Sequence, residues 1–237
     1  MSRRRIEVRT VGEAILALLG LRGVAVLFAN SGTDFPSIIE AFARARSDGI
    51  ALPRPVLCPH ENLAVGMAHG YAAVTGQPQA VMVHVNVGLA NALGGMLNAA
   101  RAEVPMLVMA GRTPVAEQGA AGVRSLNIHW AQEMFDQGAM VREAAKWDYE
   151  LRRPDQVEAV IDRALAIAAS APQAPVALML PREVLAMPLD GVEVADPPGQ
   201  AQAALPDPAP SAFAGIAEAL IGAERPMIVT AAAGRDP

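Results

Sequence analysis

The chain has 237 residues, of which 52% are hydrophobic and 18% are charged, and its formal net charge is −5. This length and composition are sufficient to bury one substantial core and to begin a second one. The negative charge and the lack of a sustained basic run argue against nucleic acid or an anionic membrane as the main partner.

At the N-terminus, several arginines precede the apolar stretch 14–29. Such an arrangement resembles a secretory signal, but Arg22 and Gly23 interrupt the stretch and its apolar spacing is helical and then strand-like. We therefore expect part of a folded domain here. The single cysteine, Cys58, excludes an intrachain disulfide framework and fits a reducing compartment, so we expect a cytoplasmic protein.

Short apolar runs alternate along the chain with longer helical patterns, which predicts βαβ units and a parallel sheet. The predicted strands cover residues 24–29, 55–58, 80–85, 106–111 and 176–181. Because each is almost continuously apolar, we expect helices on both faces of the sheet. The predicted helices cover residues 11–20, 35–46, 60–75, 89–102, 128–138 and 155–170. Together these elements form an α/β domain that we place at residues 1–186.

The composition changes after this domain. Residues 187–210 contain six prolines and little periodicity, which predicts a linker and not a packed element. Residues 211–237 have the pattern of one helix followed by one strand, and such a pair cannot bury itself without further sheet partners. We therefore expect a truncated second α/β domain, so that the chain is a piece of a longer protein. A natural tail that docks on a partner is the alternative.

Several common chemistries lack their sequence signatures. Lys146 is the only lysine and follows no glycine-rich loop, which argues against a phosphate loop and a Schiff base. The glycines of residues 86–95 have the wrong intervals for a dinucleotide fingerprint. The four histidines do not pair with cysteine or carboxylate at metal-ligand spacing, so we predict no metal ligands in this chain.

Three loops follow predicted strands and should meet at one edge of the sheet. They cover residues 30–36, 59–62 and 84–88. In parallel α/β sheets, ligands bind at the carboxyl ends of the strands, where loops lead into the N-termini of helices. The sequence therefore predicts a ligand-binding crevice at this edge.

Glu61 opens the predicted helix 60–75. An acidic residue in a first helical turn is explained by the helix dipole alone. The rest of this helix is unusual, because small residues recur every four positions at Ala64, Ala68 and Ala72, and at Gly66 and Gly70. A glycine inside a helix costs up to ~1 kcal/mol relative to alanine, which indicates close packing that offsets the loss. We therefore expect Glu61 to open a buried helix.

Three segments of the sequence together resemble one family. They are VLFANSGTDFPSIIEAF (26–42), HENLAVGMAHGYAAVTGQP (60–78) and NVGLANALGGMLNAARAEVPMLVMAGRTP (86–114). They closely resemble the N-terminal pyrimidine-binding domain of thiamine diphosphate-dependent enzymes, the group that holds acetolactate synthase and benzoylformate decarboxylase. The resemblance covers residue 10 to about residue 185 and implies the thiamine diphosphate-binding fold. The segment ERPMIVTAAAG (224–234) is similar to the first strand of the central domain of those enzymes.

The resemblance implies roles for the residues around the cofactor. In this family, the glutamate that corresponds to Glu61 hydrogen-bonds N1′ of the aminopyrimidine, which lets the cofactor's own exocyclic nitrogen remove the thiazolium C2 proton. Gly88 and Asn91 match residues that shape the pyrimidine pocket, and Gly32 matches the glycine of a Pro-Gly pair that follows the first strand, with Ser31 in place of the proline. All four are therefore candidate cofactor-binding residues, and Glu61 is also a candidate catalytic residue.

The resemblance also implies residues near the substrate. His84 matches a histidine that benzoylformate decarboxylase-like members use as a proton shuttle; a histidine satisfied by backbone groups is the other interpretation. Thr33 matches a hydroxyl placed near the substrate carboxylate, although it equally fits a helix N-cap shared with Asp34. Acetolactate synthases usually carry Ser-Gly-Pro-Gly where this chain has Val-Asn-Val-Gly at 85–88, which argues against a strict acetolactate synthase assignment. His129 and Trp130 lie on a segment that often faces a neighbouring subunit.

The resemblance finally implies what the whole protein does. We expect the N-terminal part of a decarboxylase or carboligase that acts on 2-oxo acids with thiamine diphosphate, in a homodimer or homotetramer. Mg²⁺ would be held by a C-terminal domain with a GDG motif that this sequence lacks, so we expect the isolated chain to be inactive. A flavin (FAD) requirement stays open. The alternatives are a small subunit of a split decarboxylase and a noncatalytic α/β binding module.

Overall fold

This computed structural model describes residues 2–48, 50–205 and 207–230 and divides the chain into two units, Met1–Ala203 and Ala204–Pro237. The strands are β1 (Ser2–Ile6), β2 (Val26–Ala29), β3 (Arg54–Leu57), β4 (Gln79–Val83), β5 (Met106–Arg112), β6 (Asp148–Glu150), β7 (Pro175–Pro181) and β8 (Val192–Asp196). The helices are α1 (Val11–Leu21), α2 (Pro36–Asp48), α3 (Glu61–Thr75), α4 (Val85–Arg101), α5 (Ile128–Ala131), α6 (Val157–Ala169), α7 (Arg182–Leu185) and α8 (Pro210–Gly222).

Six parallel strands form the central sheet in the order β3-β2-β4-β5-β7-β6. The predicted parallel α/β fold is therefore confirmed. Every predicted strand of the first domain is present within a few residues of its expected bounds, because continuous apolar runs are typical of strands buried on both faces. Sheet neighbours are aligned by register: Val81 of β4 lies between Phe28 of β2 and Val108 of β5.

Alternate residues of the strands feed two separate hydrophobic cores. Leu27, Met82 and Leu107 pack with α1, α2 and α6 on one face of the sheet. Phe28 and Val81 pack with α3 and α4 on the other face. This follows from the two-residue period of side chains along a strand, and it confirms the prediction of helices on both faces.

The edge strand β3 departs from that pattern. Leu57 is 76% exposed although its neighbours suggested a strand covered on both faces. Because β3 is an edge strand that pairs only with β2, helices do not cover it as they cover the inner strands. The apolar residues around Leu57 predict a strand, but they do not predict whether that strand lies inside the sheet or at its edge.

The predicted helix 128–138 is wrong over most of its length. The chain forms only the short helix α5 and, after an irregular stretch, a 3-10 turn over Gly138–Val141. Side chains take over the hydrogen bonding here: Arg112 donates to the Met134 carbonyl at 3.1 Å, and Gln137 donates to the Gly111 carbonyl at 2.9 Å. These bonds fix the backbone in a conformation that an uninterrupted helix would not permit.

The predicted linker contains a strand. β8 pairs antiparallel with β1 in a two-stranded sheet, and Val194 and Ala195 are buried. The sequence does not indicate this pair, because β1 carries three consecutive arginines and β8 lies between prolines, so neither has the apolar run typical of the central strands. The part of residues 187–210 that includes β8 is therefore a packed element and not a linker.

The second unit is described by α8, which confirms a helix after residue 210. Residues 226–230 form no regular strand, and the remainder of the predicted strand lies outside the described residues. The assignment of this unit as the start of a further domain stays a prediction. Among the described residues, no helix is both long and apolar enough to cross a membrane.

A buried ion pair joins α1 to α6. Arg22, which ends α1, donates from Nε and Nη2 to the Asp162 carboxylate at 2.8 and 3.1 Å, and also donates to the Ala195 carbonyl of β8 at 3.1 Å. The side chains are 7% and 2% exposed. The pair thus links two helices and the two-stranded sheet in one network.

We predict that Asp162→Ala destabilises the chain by about 3–5 kcal/mol, because it removes the bidentate partner of the buried Arg22 guanidinium and leaves Glu158, at 3.9 Å, as a more distant carboxylate. Urea unfolding monitored by circular dichroism would measure the loss. The exposed pair of Arg153 and Asp155 provides the control, and Asp155→Ala should change the midpoint little. Equal effects of the two substitutions would contradict the structural role of the buried pair.

Helices α3 and α4 approach each other at a glycine. A Cβ at Gly95 would lie 2.7 Å from Oδ1 of Asn62 and 2.8 Å from Cγ1 of Val65, whereas a Cβ at the adjacent Gly94 would meet nothing within 4 Å. Val65 is fully buried and cannot move aside freely. Of these two neighbouring glycines, Gly95 is therefore the one that packing among the described residues requires.

We predict opposite effects for alanine at these two neighbouring positions. Gly95→Ala should destabilise the chain by about 1–3 kcal/mol through overpacking against Val65. Gly94→Ala should stabilise it by up to ~1 kcal/mol, because alanine is the better helix former. Thermal and urea unfolding of both variants would test this, and a stabilising Gly95→Ala would show that the helices are not in close contact there.

Candidate active site

The loops that follow β2, β3 and β4 meet at the carboxyl edge of the sheet, as predicted. Asn30 after β2 donates from Nδ2 to the carbonyl of Cys58 after β3 at 2.9 Å. The backbone N–H of Val85 after β4 donates to Oδ2 of Asp34 at 3.2 Å. Hydrogen bonds therefore hold the three segments together at the place where α/β proteins bind ligands.

Glu61 lies at this edge as the first residue of α3 and is only 8% exposed. His60 caps the helix, because its Nδ1 accepts the N–H of Asn62 at 3.1 Å. Asn91, in the second turn of α4, donates from Nδ2 to Oε2 of Glu61 at 3.1 Å. Among the described residues, nothing donates a hydrogen bond to Oε1. Glu61 is thus a buried carboxylate with one oxygen held and one available.

Two of the predicted site glycines allow close approach around these side chains. A Cβ at Gly88 would lie 3.2 Å from Cβ of Val83 and 3.4 Å from Oε1 of Glu61. A Cβ at Gly32 would collide with the imidazole of His84. The structure therefore brings together five of the six predicted site residues, namely Glu61, His84, Gly32, Gly88 and Asn91.

His84 is held by side chains on both ring nitrogens. Its Nδ1 lies 2.5 Å from Oδ1 of Asp34, and its Nε2 lies 3.1 Å from Nε2 of Gln132. The interpretation of His84 as a histidine satisfied by backbone groups is therefore wrong. The hydrogen bond to Asp34 raises the pKa of His84 above its ordinary value although burial lowers it, and the charges of Asp34 and Glu61 raise it further. The two carboxylates thus stabilise the charged form of the imidazole relative to an isolated histidine.

Asp34 and Gln132 are the site residues that the sequence did not reveal. Asp34 was expected to share an N-cap for α2, but its carboxylate contacts His84 and the Val85 N–H instead, and the residue is 3% exposed. Gln132 lies just after α5, and its carbonyl accepts from Nδ2 of Asn86 at 3.1 Å. The only available signal for Asp34 was its position in the predicted crevice loop.

Thr33 lies beside this group on the same loop, and its side chain is exposed. Among the described residues, its hydroxyl has no hydrogen-bond partner. The N-cap that we considered for Thr33 and Asp34 is therefore not formed by either side chain. Contact of Thr33 with a substrate stays a prediction.

His129 and Trp130 have different environments. His129 is buried, its Nδ1 accepts the Ser125 N–H at 3.0 Å, and its carbonyl accepts the Thr113 hydroxyl at 2.5 Å. Burial lowers the pKa of His129, and the cations Arg182 and Arg124 lower it further. Trp130 is exposed and lies under the Arg124 guanidinium at 5.6 Å. His129 therefore stabilises the segment, and Trp130 is not a core residue of this chain.

The family of this chain is identified by its similarity to known proteins. The sequence matches the family described as "Thiamine pyrophosphate enzyme, N-terminal TPP binding domain" over residues 9–140, which is more than half of the chain. The chain belongs to the thiamine pyrophosphate enzyme family. Thiamine pyrophosphate is the same cofactor as the thiamine diphosphate named above, so the resemblance seen in the sequence is confirmed.

Individual members of the thiamine pyrophosphate enzyme family show how much of a whole protein is matched. The chain is 29% identical over 223 residues to benzoylformate decarboxylase of Pseudomonas aeruginosa, covering 93% of this chain and 39% of the relative. It is 25% identical over 177 residues to the mitochondrial acetolactate synthase catalytic subunit of Saccharomyces cerevisiae, covering 75% of this chain and 24% of that protein.

A solved structure of the same family agrees with the fold. The crystal structure of benzoylformate decarboxylase from Polynucleobacter necessarius superimposes with a TM-score of 0.69 at 25% identity, covering 90% of this chain and 36% of that one. The chain thus spans about two-fifths or less of the length of these relatives.

The pKa of His84 gives a testable pH dependence. Because the folded-state pKa is raised above the ordinary value of 6.5, stabilisation by the protonated His84 is fully present below about pH 6.5 and is lost as pH rises through the raised pKa. The difference in unfolding free energy between the unaltered chain and His84→Asn should therefore shrink from pH 6 to pH 9. Urea titrations at several pH values would measure it.

Thr33→Ala is the control for this experiment, because it alters the same loop without removing a titratable group. It should retain the pH dependence of the unaltered chain. A His84→Asn variant whose stability parallels that of the unaltered chain across this range would contradict the described contact with Asp34.

Proposed function

We propose that this chain forms the pyrimidine-binding part of an enzyme that uses thiamine diphosphate to act on 2-oxo acids. The observation that carries this proposal is the buried carboxylate of Glu61 at the carboxyl edge of the sheet, with Oε2 held by Asn91 and Oε1 available. A buried charge is costly unless it serves a partner, and such groups concentrate at functional sites.

The residues present fit an aminopyrimidine ring. Oε1 of Glu61 offers a hydrogen-bond acceptor for a ring nitrogen that carries a proton, as N1′ does in the active form. Gly88 keeps the approach to this oxygen open, because its missing side chain leaves ordinary van der Waals space beside Oε1. Asn91 fixes the carboxylate so that its other oxygen keeps one direction. This chain would thus orient the ring and hold a proton at N1′.

The bound cofactor would supply the electron sink for loss of the carboxylate carbon from a 2-oxo acid. His84 would supply the proton chemistry beside the substrate, since its ring is partly open and the contact with Asp34 raises its pKa. Thr33, exposed on the same loop, would provide a hydroxyl for the substrate carboxylate.

Between the two reaction classes we favour a decarboxylase over a carboligase. The name of the bacterial relative, benzoylformate decarboxylase, supports this, and so does His84 in the loop after β4. The name of the yeast relative, acetolactate synthase, supports carboligation as the second candidate. Mg²⁺ belongs in this proposal to a further domain of the whole protein, which is why the isolated chain would be inactive.

An exposed apolar face beside the site supports assembly with another subunit. Leu63, Met67 and Val74 of α3 and Leu97 of α4 are all exposed, and a Cβ at Gly66 would meet nothing within 4 Å among the described residues outside its own stretch of α3. The described part of the chain therefore does not make the close packing expected around this glycine. We propose that a homodimer or homotetramer covers this face, in the cytoplasm.

We predict that Glu61→Gln lowers the thiamine diphosphate-dependent turnover of the whole protein by at least about 10²-fold, because a neutral amide cannot stabilise a proton on N1′. Decarboxylation of benzoylformate and of pyruvate would be followed in the presence of Mg²⁺ and the cofactor. Glu40→Gln, on the exposed surface of α2, is the matched control and should keep full activity.

The outcome separates the candidate functions. Unchanged turnover in Glu61→Gln would reject the role of Glu61. A whole protein that binds no cofactor would instead support the noncatalytic α/β module. Activity that appears only after a separate second chain is added would support the small subunit of a split decarboxylase.

A further inference from the structure

The contact between Asp34 and His84 is built by the fold and is not a surface encounter. Asp34 is 3% exposed, and each of its oxygens has its own partner: Oδ1 lies 2.5 Å from Nδ1 of His84, and Oδ2 accepts the Val85 N–H at 3.2 Å. One carboxylate therefore holds the imidazole and the backbone that follows it.

Two glycines make room for this pair. A Cβ at Gly111, near the end of β5, would overlap the Asp34 carboxyl group, and a Cβ at Gly32 would overlap the imidazole of His84. Any larger residue at either position would separate the two side chains. The contact between Asp34 and His84 is thus set by the backbone of the loop after β2 and by the end of β5. It does not depend on flexible surface side chains.

The backbone next to His84 is strained, and strained residues cluster at functional sites. Val85 has a φ of 34°, a value that a β-branched residue rarely adopts. Such a conformation is energetically unfavourable and persists only where the surroundings impose it. The hydrogen bond from the Val85 N–H to Asp34 is one of these restraints.

The second ring nitrogen of His84 has a partner that suits both protonation states. Gln132 places its side-chain amide 3.1 Å from Nε2. When Nε2 is unprotonated, the amide nitrogen can donate to it; when Nε2 carries a proton, the amide oxygen can accept from it after a half-turn. The charged groups that act on His84 are Asp34, from the loop after β2, and Glu61, from the start of α3.

We propose that Asp34 is a positioning residue for His84: it keeps one proton on Nδ1 and thereby makes Nε2 the atom that exchanges a proton with the substrate, once the Gln132 amide moves aside from it. In the transfer, the N–H bond at Nε2 breaks and the proton moves to a substrate oxygen. His84 is left neutral with its remaining proton on Nδ1. The exchange with a substrate rests on the proposed function, whereas the pairing of the two side chains does not.

Nuclear magnetic resonance on the chain labelled with ¹⁵N-histidine tests the pairing directly. At high pH, the nitrogen shifts of His84 should show the proton on Nδ1, and a dominant Nε2–H form would overturn the proposal. In Asp34→Asn, the pKa of His84 should fall by about one pH unit, because the negative partner is gone. His84→Asn identifies the signal, and Asp136→Asn, an exposed aspartate paired with Arg142, should leave the titration unchanged.

The whole protein tests the catalytic consequence. Asp34→Asn should lower kcat by about 10-fold to 100-fold with little change in KM, and should move the pH profile of kcat/KM to lower pH. A pairing seen by resonance together with an unmoved profile in an active Asp34→Asn protein would overturn the positioning role. Glu61→Gln tests the proposed function separately, because it should abolish thiamine-dependent turnover. In the same variant, the pKa of His84 should stay raised, because Asp34 is still present. If Asp34→Asn does not fold, the proton position in the unaltered chain still decides the pairing.

Discussion

The site depends on one constraint, the meeting of three parallel strand ends at a single edge of the sheet. The carboxyl ends of parallel strands lie at the same edge of the sheet, and β3, β2 and β4 are neighbours. The loops that follow these strands must therefore lie close together. Glycine at positions 32, 88 and 111 lets side chains from one loop lie against the backbone of the next. The architecture thus brings into contact residues that are 30 to 50 positions apart in sequence.

Two carboxylates are buried at this edge, and each is stabilised differently. Glu61 lies in the first turn of α3, where the helix dipole favours a negative charge, and it accepts one hydrogen bond from Asn91. Asp34 contacts Nδ1 of His84 with one oxygen and accepts the backbone N–H of Val85 with the other. The less completely bonded carboxylate, Glu61, is the one suited to a ligand, and the more completely bonded one, Asp34, is suited to holding a neighbouring side chain.

The sequence predicted what depends on local pattern. Continuous apolar runs identified the central strands, and the position of Glu61 after a strand and before a small-residue helix identified a buried carboxylate. It did not predict what depends on distant partners. Asp34 contacts a histidine 50 residues away, and the antiparallel pair of β1 and β8 joins segments about 190 residues apart. Leu57 shows the same limit, because strand order decides its exposure.

The packing of α3 against α4 at Gly95 has a consequence for the chemistry at their N-terminal ends. Glu61 is carried by one helix and Asn91 by the other, so the space between the two backbones sets the distance across which the amide reaches the carboxylate. A single methyl group at residue 95 would act as a wedge between the helices. The distance between the Glu61 carboxylate and the Asn91 amide therefore depends on the absence of a side chain at Gly95, one helical turn from Asn91.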